Sequence, residues 1–105
     1  MEKRVSKLMM QSILCRAIAK IFMEGKVCNQ GTSVSRVNLS NDLKVADVFI
    51  ALSFWSKEDK HSVLAEIKKS SYFIYKLLLK DVSLRYVPKL NFKLDDDQQE
   101  IYKNH

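Results

Sequence analysis

The sequence predicts an α+β domain with the element order helix, strand, strand, long helix, strand. Two patterns carry this expectation. Apolar residues recur with helical period in two long stretches and alternate in three short ones. A 47% hydrophobic content, with two glycines and one proline in 105 residues, is the composition of one folded domain and not of a low-complexity chain. A chain of this length buries roughly two-thirds of its unfolded surface, enough for a single core without disulfide staples.

The first helix is expected from about Lys3 to Glu24. Met10, Leu14, Ala17, Ile18 and Ile21 share one helical face, with Phe22 beside it. Gly25 punctuates the end as a C′ residue, because only glycine enters the left-handed region without a Cβ penalty. The segment "GKVCNQGTS" that follows holds both glycines and reads as a loop. In "SVSRVNL", residues 33–39, Val37 and Leu39 fall on one side of a short strand. "SNDL", residues 40–43, supplies serine, asparagine and aspartate side chains that hydrogen-bond nearby backbone and favour a tight reversal. "VADVFIALSF", residues 45–54, is the cleanest strand, with Ala46, Val48, Ile50, Leu52 and Phe54 on one face. Its other face (Val45, Asp47, Phe49, Ala51, Ser53) is still half apolar, so it should be central in its sheet and form an antiparallel hairpin with the strand before it.

Ser56 and Asp59 have the spacing of a capping box, with aspartate in the usual glutamate position. From there to about Lys80 the period is helical. Val63, Ile67, Ser70, Ile74 and Leu77 form a stripe that Leu64 and Leu78 widen. The stripe is interrupted by "SSY", residues 70–72, which suggests a close helix crossing or a distortion. In "LRYVPKLNFKLDD", residues 84–96, Leu84, Tyr86, Leu90, Phe92 and Leu94 alternate in phase with Pro88. Proline offers no N–H to a ladder, so this strand belongs at a sheet edge or is bulged. A strand–helix–strand return makes parallel neighbours with a right-handed crossover. The helices should cover one face of the three-stranded sheet. The domain is expected over residues 1–96, with 97–105 a flexible acidic tail.

The formal net charge is +6, and its distribution is uneven. Lys60, Lys68, Lys69, Lys76, Lys80, Arg85, Lys89 and Lys93 stand against only Glu66 and Asp81 in one third of the chain. Such a segment is the footprint of a polyanionic partner or, more simply, a solvated lysine-rich face. Lys68 and Lys76 lie about 80° apart by helical phase, and Lys69 and Lys80 about 20°. Arg85, Lys89 and Lys93 share a strand face at roughly 13 Å between successive sites.

Other chemistry has little support. Cys15 and Cys28 are too few for a disulfide scaffold, lack metal-ligand spacing, and read as reduced thiols. His61 and His105 have no matching ligand cluster, so no metal or cofactor is expected. The acidic run Asp95–Asp97 reads as solvated rather than magnesium-binding. Nothing places a nucleophile beside a base, so no enzyme is expected. No apolar run reaches the ~18 residues of a membrane span, and no signal peptide is expected.

The element order in a basic domain of this length resembles the bacterial KH (type II) architecture. More specifically, "VSRVNLSNDLKVADVFIAL", "SSYFIYKLL" and "LRYVPKLNFKLDD" resemble the ribosome-binding factor A family. Ser40, Asp42, Leu43, Ala46 and Val48 match its Ser-x-Asp-Leu turn and the Ala-x-Val strand that follows. Leu84, Arg85, Pro88, Leu90 and Phe92, followed by Asp95 and Asp96, match its closing phrase. Arg4 and Val5 match its opening one. The likeness runs from about residue 4 to 96. It implies a KH type II-like fold, α-β-β-α(kinked)-β. It also implies a non-catalytic assembly factor that binds 16S rRNA in the small (30S) ribosomal subunit late in maturation. Support of 5′-end precursor processing, release often helped by an assembly GTPase, a monomer when free, and a bacterial or organellar location all follow from the family. The family kinks its second long helix at an Ala-x-Gly phrase. Here Ser70, Ser71 and Tyr72 occupy those positions, with tyrosine in place of the glycine.

The expected RNA-facing residues are Lys68, Lys69, Lys76, Lys80, Arg85, Lys89 and Lys93, with Arg36 and Lys44 outlying. Those near the kink rank first, because KH-type sites lie where two helices meet. Tyr72 either packs or stacks on RNA. The alternative is a generic KH-like module that binds RNA, or an acidic protein, through the same lysines.

Overall fold

In the computed structural model, which describes residues 2–27, 31–52, 57–81, 84 and 86–95, six elements follow in order. They are α1 (Glu2–Met23), β1 (Thr32–Leu39), β2 (Val45–Leu52), α2 (Lys57–Lys69), α3 (Ser71–Leu79) and β3 (Lys89–Leu94). The strands form one mixed sheet in the order β1-β2-β3, with β2 antiparallel to β1 and parallel to β3. The expected α+β order, the central place of the second strand and the edge place of the third are all observed.

Helix α1 ends as its glycine dictates. Gly25 has φ 73°, its N–H bonds the Phe22 carbonyl at 3.1 Å, and Lys26 N–H bonds that of Ile21 at 3.4 Å. These two bonds are a Schellman closure, which satisfies carbonyls the helix end leaves open. The β1–β2 turn is closed by side chains. Ser40 Oγ donates to Asp42 Oδ1 at 2.7 Å, and Lys44 N–H donates to the same oxygen at 3.1 Å. Val45 N–H donates to Ser40 Oγ at 3.1 Å. Leu43 sits at φ 63°, a left-handed conformation that these bonds impose on a residue with a Cβ.

All buried side chains among the described residues are apolar, Pro88 included. Apart from Pro88 they form one cluster, with Leu14, Ile18, Ile21 and Phe22 from α1, Val63 and Ile67 from α2, Ile74 and Leu78 from α3, and one face of the sheet. On β2 burial alternates residue by residue, with Ala46, Val48, Ile50 and Leu52 inside. Helix α1 lies over β1, α2 and α3 lie over β3, and α3 also touches α1. Among the described residues no helix covers the opposite face of the sheet. No helix among the described residues is long and apolar enough to cross a membrane.

Three expectations need correction. The last strand begins at Lys89 and not at Leu84. The ladder starts where the first N–H after Pro88 becomes available, Lys89 N–H bonding Lys44 O at 2.9 Å. Tyr86 therefore lies outside the strand and is exposed, its hydroxyl donating to Leu43 O at 2.8 Å. Its phenol is pushed above the usual value by burial, and further by the nearby Asp42 charge. Second, β1 carries a bulge at Ser35, between Val34 and Arg36. The extra residue lets Val34 and Val37, an odd number apart, both point toward the covered face. Third, Asp95 is not merely solvated: it accepts a hydrogen bond from Ser35 Oγ, and its N–H bonds Ile50 O at 2.9 Å. The capping residue Ser56, Phe54, Cys28, Asp96 and the tail 97–105 lie outside the described residues, while Cys15 is a free, half-buried thiol.

Candidate nucleic-acid interface

The long second helix is broken at Ser70. Its N–H is shared between Glu66 O at 3.2 Å and Ile67 O at 3.0 Å, and its carbonyl already accepts from Ile74 N–H at 2.9 Å. Ser70 has φ −87° and ψ 1°, a region open to any L-residue. Among the described residues only Leu43 has positive φ without being glycine, so the break does not need glycine at position 72. Because α2 and α3 are separate helices, the phase angles expected between Lys68 and Lys76, or Lys69 and Lys80, do not apply across Ser70.

The break has a chemical consequence. Lys68 and Lys69 are exposed in the last turn of α2, where positive charge is favoured by the helix dipole. Two residues past the break, Tyr72 is 68% exposed, so of its two expected roles packing into the core does not hold. The Tyr75 ring lies 6.4 Å from it at an interplanar angle of 21°, and Lys76 Nζ sits 5.4 Å above the centre of the Tyr72 ring. Ser71, Tyr72, Tyr75, Val87, Lys89 and Leu90 line a groove of about 410 Å³ between α3 and the entry to β3. Lys76 thus lies over the aromatic pair, Lys89 reaches the same groove from the strand, and Lys68 and Lys69 end α2 four and three residues before Tyr72 in the chain. Tyr75 and Ser71 were not singled out as groove residues by the sequence, although Tyr72, Tyr75 and Lys76 have the i, i+3, i+4 spacing that puts them on one helix surface.

The remaining candidates sit elsewhere. Arg36, Phe49 and Lys93 form one row across the open sheet face. The Arg36 guanidinium stacks 4.2 Å from the centre of the Phe49 ring. Lys93 Nζ is tied to Asp47 Oδ2 at 3.4 Å, and Asn91 Nδ2 donates to Asp47 Oδ1 at 3.0 Å. This face is therefore partly neutralised from within, which sequence alternation did not reveal. Lys44 is exposed in the β1–β2 turn, where Asp42 is held below the usual carboxylate value of 3.8, chiefly by the Ser40 hydroxyl and next by the Lys44 N–H. Lys80, at the far end of α3, lines a different groove of about 430 Å³ with Lys20, Lys26, Glu24 and Asp81, where charges of both signs mix. Arg85 lies outside the described residues. Among the described residues, no three His, Cys, Asp or Glu side chains are grouped so as to hold a metal ion.

A mixed three-stranded sheet in this order, helices on one face and the second long helix broken, defines an α+β domain of the KH type II kind. The family model described as ribosome-binding factor A matches residues 2–104. The chain belongs to the ribosome-binding factor A family. It is 36% identical over 94 residues to the ribosome-binding factor A of Chlamydia pneumoniae, covering 90% of this chain and 77% of the relative. The protein of the same name from Anaplasma marginale is 38% identical over 85 residues, covering 80% of this chain and 72% of the relative. Among solved structures, the crystal structure of ribosome-binding factor A from Thermus thermophilus superposes with a TM-score of 0.69 at 23% identity, covering 84% of this chain and 93% of that one. A Thermus thermophilus homology model of the factor, fitted into the cryo-EM map of its complex with the 30S subunit, has a TM-score of 0.63 at 20% identity. It covers 82% of this chain and 91% of its own.

Proposed function

We propose that this chain binds the small ribosomal subunit through 16S rRNA late in subunit maturation and supports 5′-end precursor processing. It acts in the bacterial cytoplasm, is a monomer when free of the subunit, and is released with the help of an assembly GTPase. Residues 1–96 carry the binding domain, and 97–105 are its acidic C-terminal tail. The observation that carries the reading is the set of exposed lysines on either side of the helix break of a chain whose relatives are ribosome-binding factors. Lys68, Lys69 and Lys76 form no ion pair among the described residues and are exposed, so their charge is available to phosphates. Lysine contacts of this kind position a backbone and carry no base code. Lys80, Lys89 and Lys93, with Arg36, Lys44 and Arg85, extend the basic surface, Lys93 least because Asp47 holds it.

The test is co-sedimentation of the purified protein with isolated small and large subunits, across a salt series and with an RNase-treated control. Selective, salt-sensitive, RNase-sensitive retention on the small subunit is expected. Equal retention on both subunits would reduce the function to generic RNA binding. Retention that survives RNase would favour an acidic protein partner for the same lysines.

A further inference from the structure

We propose that the groove at the helix break takes one unpaired RNA base, stacked on Tyr72, with its flanking phosphates held by Lys68, Lys69 and Lys76. This rests on the reading of RNA as the partner and adds what kind of RNA enters and which side chain reads it. Tyr72 is 68% exposed on a helix whose buried residues are Ile74 and Leu78, so its ring is not needed to fill the core. The ring is nonetheless held in place: Tyr75 lies nearly parallel to it, and the Lys76 ammonium sits over it. A ring ordered before binding loses little rotamer freedom when a ligand arrives. A phosphate drawn to Lys76 brings its attached base to that ring, because ammonium and ring centre are 5.4 Å apart.

The groove fits this occupant in size and chemistry. Its volume of about 410 Å³ falls in the range of roughly 300–1,000 Å³ typical of small-ligand sites. Val87 and Leu90 supply an apolar wall, while Ser71, the tyrosine hydroxyls and Lys89 supply hydrogen-bonding groups. A base paired inside an A-form duplex cannot enter such a groove, since its faces are covered by its neighbours. Unpaired bases can be splayed out and stacked on aromatic rings. The charge decides against an apolar peptide, and the exposed ring adds what an acidic peptide would not use.

The experiment compares wild-type protein with the Tyr72→Ala, Tyr72→Phe and Tyr72→Trp variants. The probes are single-stranded oligo(A) and oligo(U) about eight nucleotides long, an RNA duplex, and polyglutamate. One adenine of the oligo(A) is replaced by 2-aminopurine, whose fluorescence falls on stacking. Tyr72→Ala should weaken single-strand binding by about 5- to 150-fold, leave the salt slope unchanged, and abolish the fluorescence drop. Tyr72→Phe and Tyr72→Trp should retain both. Tyr72→Ala binding equal to wild type, wild-type binding without quenching, or tighter binding of duplex or polyglutamate than of the single strands would overturn the proposal. If any of these occurs while wild-type protein still co-sediments with the small subunit in an RNase-sensitive way, the base site fails and the RNA reading stands. If wild-type protein binds neither subunit nor oligonucleotide, both fall.

Discussion

Reversing the charge of Lys68 and Lys69 together should flatten the salt dependence of RNA binding by a calculable amount. The structure separates available charges from committed ones. Lys93 is paired with Asp47 and Lys26 with Glu24, whereas Lys68, Lys69, Lys76, Lys80 and Lys89 hold no ion pair among the described residues. If all five neutralise a phosphate, the single-strand slope of about −0.7 per contact gives a slope of roughly −3.5. Affinity then falls about 3,000-fold for a tenfold rise in salt. Removing two contacts leaves a slope of roughly −2, a loss of about 100-fold over the same range. The assay is fluorescence anisotropy of a labelled single strand titrated at four or more salt concentrations. Both residues are exposed on the last turn of α2, so the double variant should fold, and its circular dichroism and thermal midpoint provide the control. A double variant that binds more weakly at every salt concentration with an unchanged slope would refute the placement of phosphates at this junction.

Other outcomes follow from the same geometry. Tyr72→Gly should keep the fold and cost no more than about 1 kcal/mol of helix propensity, lowering the thermal midpoint by about 4–8 °C; a much larger drop would show that the tyrosine supports the break. Ile74→Ala empties a site with no solvent exposure and should cost about 2–5 kcal/mol in chemical denaturation; a loss well under 1 kcal/mol would mean that α3 does not dock as described. Asp42→Ala should lower the thermal midpoint at neutral pH, because the folded turn binds the carboxylate form. Asp42 titrates lower when folded than its ordinary 3.8, so its stabilisation is complete above that value and is lost as pH falls through the lowered one. The gap between wild type and Asp42→Ala should therefore close on acidification, and a gap that widens would contradict the hydrogen bonds at Asp42.

The fold was legible where one face of an element is buried without interruption. Ala46, Val48, Ile50 and Leu52 alternate because β2 has neighbours on both sides and helices over one face. Leu14, Ile18 and Ile21 recur because α1 lies on that same sheet. Legibility failed where a local rule was overridden nearby. Leu84 and Tyr86 continue the alternation of β3 by composition alone, but Pro88 prevents the ladder from extending back to them. Val34 and Val37 break period two, and only the Ser35 bulge reconciles them. The lysines were visible as a charge imbalance. Their sorting was not, since the Lys93–Asp47 pair depends on strand register. Tyr72 was placed in the sequence but not its exposure, because its surroundings are set by α3 turning away at Ser70.

The order of the strands also bears on how the chain is made. The central strand of the sheet is the second to be synthesised, and one of its two partners is the last. The hairpin of β1 and β2 can close early on its local turn, but the other edge of β2 stays unpaired until the chain through Leu94 has been translated. During that interval an apolar strand edge is open to pairing with another chain. Helices α2 and α3, made in between, lie over β3 in the finished fold, so Ile67, Ile74 and Leu78 complete their packing only when that last strand arrives.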